Sequence, residues 1–543
     1  MTASHLFKSF LVYSSALAIL SACGSAPVDE AREATTLHRG NSAEPLSLDP
    51  HLAQGTWENN IIGDMFMGLM TKSAAGETIY GLAQSHTVSD DGLTWTFTLR
   101  DAVWSDDVPI TAGDFEYGLQ RILTPDTLSQ YAFMLYPIVN AEAINKGEAE
   151  PQALGVKAID DKTLEISLVT PTPFLPGLLT HYTSYAVPKH AVKLHGKAWT
   201  RPENIVVSNA FKLEQWRTND FVHVVKNDKF WDASNVCLSD IYFYPTNDVN
   251  SAMRSVETGE LHINNEIPGK KIAFYQDKLP GYVRLHPWLY SGYIAFNTKQ
   301  SPFDNTKVTN ALSMAIDRDF LVDVIQGGRI PAYSLVPPGI DNYVGAQAAP
   351  KVTWADTAIE ARREMAKSLL LEAGFGPDTP LNFEYSHRNT GDNPVAAPVF
   401  QESWNAIAPW VSVTLQSVET QIHYDNLRSG NFQVGDAAWV ADYNDPQNYL
   451  FLLEARTGQM NYGRYDNPKY DAILETSSGL QNMDERAQVL ASAEAMMLAD
   501  MPIAPTWFDS NRNLVNPKVT GWEGNVENLH RSRFLCLKPD SED

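Results

Sequence analysis

The chain has 543 residues, too many for one ordinary hydrophobic core, so two or three domains are expected. Its 44% hydrophobic and 20% charged residues are a globular composition, which excludes a disordered chain. A net charge of −24 excludes nucleic acid as a partner, because phosphate binding needs a basic face; it favours solubility and gives a mild bias toward cationic ligands.

In chain order, Lys8 precedes an apolar run from Phe10 to Leu20. The run is shorter than the roughly 20 residues a membrane-spanning helix needs and reads as the core of a signal peptide. It ends in Leu20-Ser21-Ala22-Cys23-Gly24, which resembles a bacterial lipobox. That resemblance implies removal of residues 1–22 and lipidation of Cys23; the alternative is a plain secretory cleavage site. No later segment has enough consecutive apolar residues to span a bilayer, so a lipid-tethered body is expected. Residues 24–36 are small and charged and read as a tether.

Between 90 and 115, Leu93, Trp95, Phe97 and Leu99 alternate with Thr94, Thr96, Thr98 and Arg100, the period of a half-buried strand. Asp91-Gly92 supplies the preceding turn and Asp106-Asp107 with Pro109 the following one. Thr111 is placed to cap a helix through Asp114, Phe115, Tyr117 and Ile122. Strand patterns recur at Thr163–Leu168, Phe221–Val225 and Ile241–Tyr244. An exported chain permits a disulfide between Cys237 and Cys536 without requiring one, and either could be a buried thiol. Beyond 290 helices dominate. Thr357-x-x-Glu360 predicts a capping box for a helix ended by Gly374, and a second helix is expected from Met483 to Leu498. Pattern alone supports an α/β (α+β mixed) chain with more than one lobe.

Motifs for catalysis are missing. There is no G-x-S-x-G, H-E-x-x-H or G-x-x-x-x-G-K-[ST]. His190 and His195 amount to half a metal site with no cysteine nearby, and adjacent acidic pairs such as Asp160-Asp161 point to opposite faces of an extended chain. Neither an enzyme, a cofactor nor a metal is expected.

As a string, Trp104-Ser105-Asp106, Pro109-x-Thr111-Ala112 and Asp114-Phe115 resemble the signature of extracytoplasmic solute-binding proteins of peptide-type ABC transporters, in particular the oligopeptide-binding branch. Asp107 stands where that family usually has glycine. Further landmarks follow in the family's order: Leu46–His51, Gly155–Asp161, Phe296-Asn297 with Pro302–Asp304, Ala315–Arg318, and WVADYNDP at 439–446. The resemblance implies a periplasmic-binding-protein-like fold of two lobes closing like a hinged trap, with an inserted third domain. Its divisions would be a discontinuous lobe I (37–66, 195–289 and 507–543), an inserted domain II (67–194) and lobe III (290–506). It implies a monomeric subunit that captures peptides outside the cytoplasm and delivers them to an ABC permease. A muropeptide, an opine-like conjugate, a sugar or a metal chelate are alternative ligands on the same fold. An adhesin, chaperone or secreted hydrolase is the alternative class.

Residue by residue, the resemblance implies that Asp442 holds the ligand's amino terminus, for which an ionised carboxylate is the natural acceptor. Main-chain groups of Ala438 and Val440 on one side, and of Gln54, Gly55 and Thr56 on the other, would pair with an extended peptide as in strand addition. Tyr131 matches a tyrosine near the ligand's amino end, and Trp439 either lines the pocket or packs beneath it. Some relatives carry an arginine, serving a ligand carboxylate, where this chain has Asp436. Arg428, His387 and Arg388 are candidates to replace it, and Asp436 itself would favour a basic ligand.

Overall fold

A computed structural model describes residues 30–538; Cys23 and the run read as a signal peptide lie outside the described residues. The dominant element is a single eleven-stranded sheet. Its path runs 411–418, 381–388, 434–440, 283–296, 503–515, 263–264, 36–40, 240–244, 221–226 and 211–217, with 330–331 attached to 503–515. Two long strands at its centre, Val283–Phe296 and Ile503–Val515, pass from one body of the molecule to the other. They pair antiparallel from Val283↔Leu514 to Pro287↔Ser510, lose register, and resume from Ser291↔Phe508 to Ala295↔Ile503. The interruption is the natural flexing point, because the ladder bonds that stiffen a strand pair are broken there.

On each side of it lies a separate apolar core. The first contains Leu37, Phe66, Trp104, Phe115, Trp199 and Phe243. The second contains Phe296, Leu312, Tyr385, Phe400, Trp404, Tyr449 and Leu490. The strand read from the 90–115 pattern is Thr94–Leu99, with Trp95, Phe97 and Leu99 buried as the alternation requires. It sits in a four-stranded antiparallel sheet with 83–88, 156–158 and 163–167. Trp95 and Phe97 share the first core with Leu37 and Phe243, so apolar packing is continuous from this small sheet into the large one. Thr111 caps the helix Ala112–Leu123, and its backbone N–H donates to the Asp114 carboxylate at 2.9 Å. Asp107 adopts φ +69°, the left-handed turn conformation that a short polar side chain tolerates.

One local expectation is corrected. The helix after Thr357 is Ile359–Glu372 with Ala358 at its N-cap and no side-chain cap, so Thr357 and Glu360 stand one position out of register for a capping box. Gly374 does close this helix in the left-handed region, at φ +93°. His190 is paired with Asp106 at 2.7 Å on the surface.

Cys237 and Cys536, left open by sequence, form a disulfide with a Cα–Cα distance of 5.3 Å and a sequence separation of 299. It ties the carboxyl-terminal segment to the edge of the first body. Closing so long a loop constrains the unfolded chain, a contribution of about 2–4 kcal/mol. Replacing both cysteines by serine should therefore lower the thermal midpoint by roughly 5–10 °C. Calorimetry of the wild-type and doubly substituted proteins checks this, and equal midpoints would show that the bridge does not restrain the fold.

Candidate functional site

The strand Val434–Val440 carries the site. One edge is fully paired with Val283–Phe296, from Tyr290↔Val440 to Phe296↔Val434. Its other edge meets the 381–388 strand only at Tyr385↔Val434 and Ser386↔Gly435. Main-chain groups alternate between the two edges. Ala441 N–H donates to Leu289 O at 2.9 Å on the paired side, whereas the Asp436 carbonyl faces His423 Nε2 at 2.7 Å on the other. By that alternation the N–H and C=O of Ala438 and Val440 point to the edge without a strand neighbour among the described residues. An extended chain could add there as one more strand.

At the end of this edge stands Asp442. Its Oδ2 is buried and has no hydrogen-bond partner among the described residues. Burial pushes its carboxyl up to about 7; the Asn448 side chain opposes this shift and the charge of Glu527 adds to it. The nearest basic ring is His181, whose Nε2 lies 4.0 Å from Asp442 Oδ1. That histidine is itself buried, which drives its pKa down to about 3, so it stays neutral and supplies no counter-charge. Tyr182 and Tyr131 pack on the His181 ring at 4.0 and 5.5 Å between centroids. Burial and the neighbouring Asp442 charge hold the Tyr131 phenol well above its usual range. The result is a cluster of aromatic rings around a carboxylate that has no cationic partner among the described residues, chemistry suited to an ammonium.

Asn448 positions the motif. Its Oδ1 accepts from Trp439 Nε1 at 2.8 Å and from Asp442 N–H at 3.0 Å. Trp439 is half-buried, with its ring edge-on to Phe451 at 5.7 Å. Facing this strand, the loop before the helix Thr56–Met65 is organised by Glu58. Gln54 N–H and Gly55 N–H both donate to Glu58 Oε2, at 2.8 and 2.7 Å. Those two donors are therefore occupied from within the loop. Tyr182 Oη donates to Ala53 O at 3.3 Å, which places the loop beside the aromatic cluster.

The remaining candidates are disposed differently. Asp436 is buried and clasped by Arg388: the backbone N–H donates to Oδ1 at 2.7 Å, and Nε and Nη2 lie 2.7 and 2.6 Å from Oδ2. With His423 Nε2 3.2 Å from Oδ1, the Asp436 charge is already balanced inside the protein, against the expectation that it would favour a basic ligand. His387 is buried with Nδ1 3.0 Å from Arg388 O. Arg428 is paired with Asp425 at 2.6 Å within its own helix. Sequence reasoning passed over Asn448, His181 and Glu58, because nothing in their spacing marks them; tertiary contact alone brings them to the site.

Residues 77–461 match the family model described as bacterial extracellular solute-binding proteins, family 5 Middle. The chain belongs to this family. Over 548 residues it is 32% identical to the periplasmic oligopeptide-binding protein of Salmonella typhimurium, covering 98% of this chain and 100% of that protein. It is 35% identical to the periplasmic murein peptide-binding protein of Escherichia coli, over 91% of each. Its fold matches that of Haemophilus influenzae OppA in complex with RPPGFSPFR, with a TM-score of 0.82, 28% identity and coverage of 93% and 99% of the two chains. It is thus a solute-binding protein of the peptide type, in the oligopeptide-binding family, with that family's two-lobed fold.

Asn448→Leu should leave the Trp439 indole N–H and the Asp442 N–H without their acceptor, at about 1–3 kcal/mol for each buried donor. Denaturant unfolding followed by tryptophan fluorescence should show a loss of roughly 2–6 kcal/mol from the second body. A midpoint equal to that of the wild type would mean that Asn448 does not hold the motif.

Proposed function

We propose that this protein is the lipid-anchored, substrate-binding subunit of an ABC importer. In this reading it captures extended peptides between its two bodies by their free amino terminus and delivers them to the membrane permease. The observation that carries the proposal is Asp442 Oδ2, buried and without a hydrogen-bond partner among the described residues, at the end of an open strand edge. A peptide's α-ammonium would lie on Asp442, and its first residues would pair with Ala438 and Val440. Tyr131 would pack beside the amino end. Cys23 would be the lipid attachment, holding the body outside the cytoplasm. No covalent step is required.

This arrangement accounts for tolerance of ligand sequence, since main-chain groups are common to all peptides. Asp436 lies six residues from Asp442, about 20 Å along an extended strand. The Arg388–Asp436 pair there would present no net charge to the carboxyl-terminal half of a ligand. Register would thus come from the amino end, with length left permissive.

Asp442→Ala should weaken peptide binding by about 3–5 kcal/mol, the scale expected when a buried charge loses its partner. Isothermal titration calorimetry with a short peptide of free amino terminus and with its N-acetylated form tests this. Equal affinities of wild type and variant would overturn the assignment, as would equal affinities for the two peptides. Native mass spectrometry of protein purified without denaturation would identify a retained ligand as a linear peptide or a cell-wall peptide.

The pH dependence follows from the raised carboxyl of Asp442. An ammonium requires the ionised form, so affinity should fall as pH drops below about 7, with proton release on binding in that range, and fall again above about 8, where the ligand's own amino group loses its proton. Asp442→Asn should abolish the acid-side fall and the proton release. A wild-type affinity constant from pH 5 to 8 would contradict the reading.

A further inference from the structure

Tyr443 follows the proposed ammonium receptor directly, yet it does not belong to the core of its own body. Ala441 and Tyr449, on either side of it, are packed in the second core, whereas Tyr443 lies in the first, 7% exposed. There its ring is stacked on Phe174, with centroids 5.6 Å apart and planes 1° from parallel. Phe174 is also 7% exposed and belongs to the first body. The backbone of that body comes equally close: a Cβ built at Gly177 would lie 3.8 Å from the Tyr443 Cβ.

The same Phe174 ring receives a cation from across the cleft. The Arg486 guanidinium carbon stands 4.9 Å from its centroid. Arg486 is fixed in place by two bonds of 2.8 Å to Asp445, and both side chains are essentially fully buried. A guanidinium held this rigidly in a dry setting is attracted to a ring face more strongly than an exposed one. A short run of chain, Asp442 to Asp445, therefore carries the site carboxylate, the stacking ring and the anchor of the cation.

We infer that Phe174, Tyr443 and Arg486 form a latch that holds the two bodies together whatever occupies the cleft, and so sets how often the binding-competent closed form is populated. This latch opposes the tendency of an unneutralised, buried Asp442 carboxylate to reopen the cleft and regain water. Because Tyr443 is bonded to Asp442, seating the ring and presenting the carboxylate are one movement. A ligand's apparent affinity scales with the closed fraction, so weakening the latch should cost every ligand the same factor. The role assigned to ligand capture rests on the peptide-binding proposal above; the closure equilibrium itself does not.

The test uses the full-length protein with Phe174→Ala and Phe174→Leu, the latter keeping apolar bulk in the first core while losing the ring. Small-angle X-ray scattering without peptide should show a larger radius of gyration for both variants, more so for alanine. Calorimetry with trialanine and pentaalanine should show both dissociation constants raised by one common factor, about tenfold or more for alanine. If Phe174→Ala does not fold, Phe174→Leu decides the question in the same two measurements. Unchanged scattering in a folded variant would overturn the latch, and so would unequal effects on the two peptides, which would make Phe174 a ligand contact. Failure of either peptide to bind wild type would count against the functional proposal alone, since the scattering comparison needs no ligand.

Discussion

One carboxylate oxygen, Asp442 Oδ2, is buried beside the His181, Tyr131 and Tyr182 rings without a hydrogen-bond partner among the described residues. Removing such a group from water is costly unless a cation or donors replace the lost hydration. The Asn448 side chain offsets that cost only in part. His181 is kept neutral by burial, and Glu527 adds a second negative field. Other buried acids of this molecule show how readily the fold can satisfy a carboxylate: Asp445 has Arg486 and Asp436 has Arg388. Asp442 stands apart from these pairs at the point where an unpaired strand edge ends.

The architecture around it follows from that requirement. On the proposed reading a cation reaches the carboxylate and is then sealed from water, which calls for a site between two bodies that part. The paired strands 283–296 and 503–515 supply the connection, with their ladder interrupted between Pro287 and Ser291. On one side of the cleft the 434–440 strand presents its free edge; on the other, the loop held by Glu58 and the His181–Tyr182 segment form the opposing wall. Two apolar cores flank a strand pair whose register shifts at Pro287/Ser291 and again at Gly292/Tyr293, an arrangement that allows hinge motion without loss of either core.

Legibility varied sharply along the chain. Strand 94–99 and the helix capped by Thr111 could be read from period and capping chemistry alone, because both depend on residues within one short window. Asp107 was legible too, since a left-handed turn is a local property. The Thr357 capping box misled because the helix begins two residues later, where tertiary packing rather than a side-chain cap sets its start. The helix Met483–Asp500 was expected from its apolar face, but that pattern concealed Arg486 and Glu494, two buried charges whose partners, Asp445 and the loop at Leu335–Val336, are remote in sequence.

By itself the sequence determined the family, the mixed α/β character and the candidate carboxylate, since these are carried by strings of neighbouring residues and by alternation along single elements. Tertiary structure alone decided which acids remain unbalanced, that Cys237 meets Cys536, and that Tyr443 is buried in the opposite body from its neighbours. The physical reason is the same in each case. Charge neutralisation, disulfide geometry and ring stacking depend on distances between segments that lie from 41 to 299 residues apart, which no local pattern encodes.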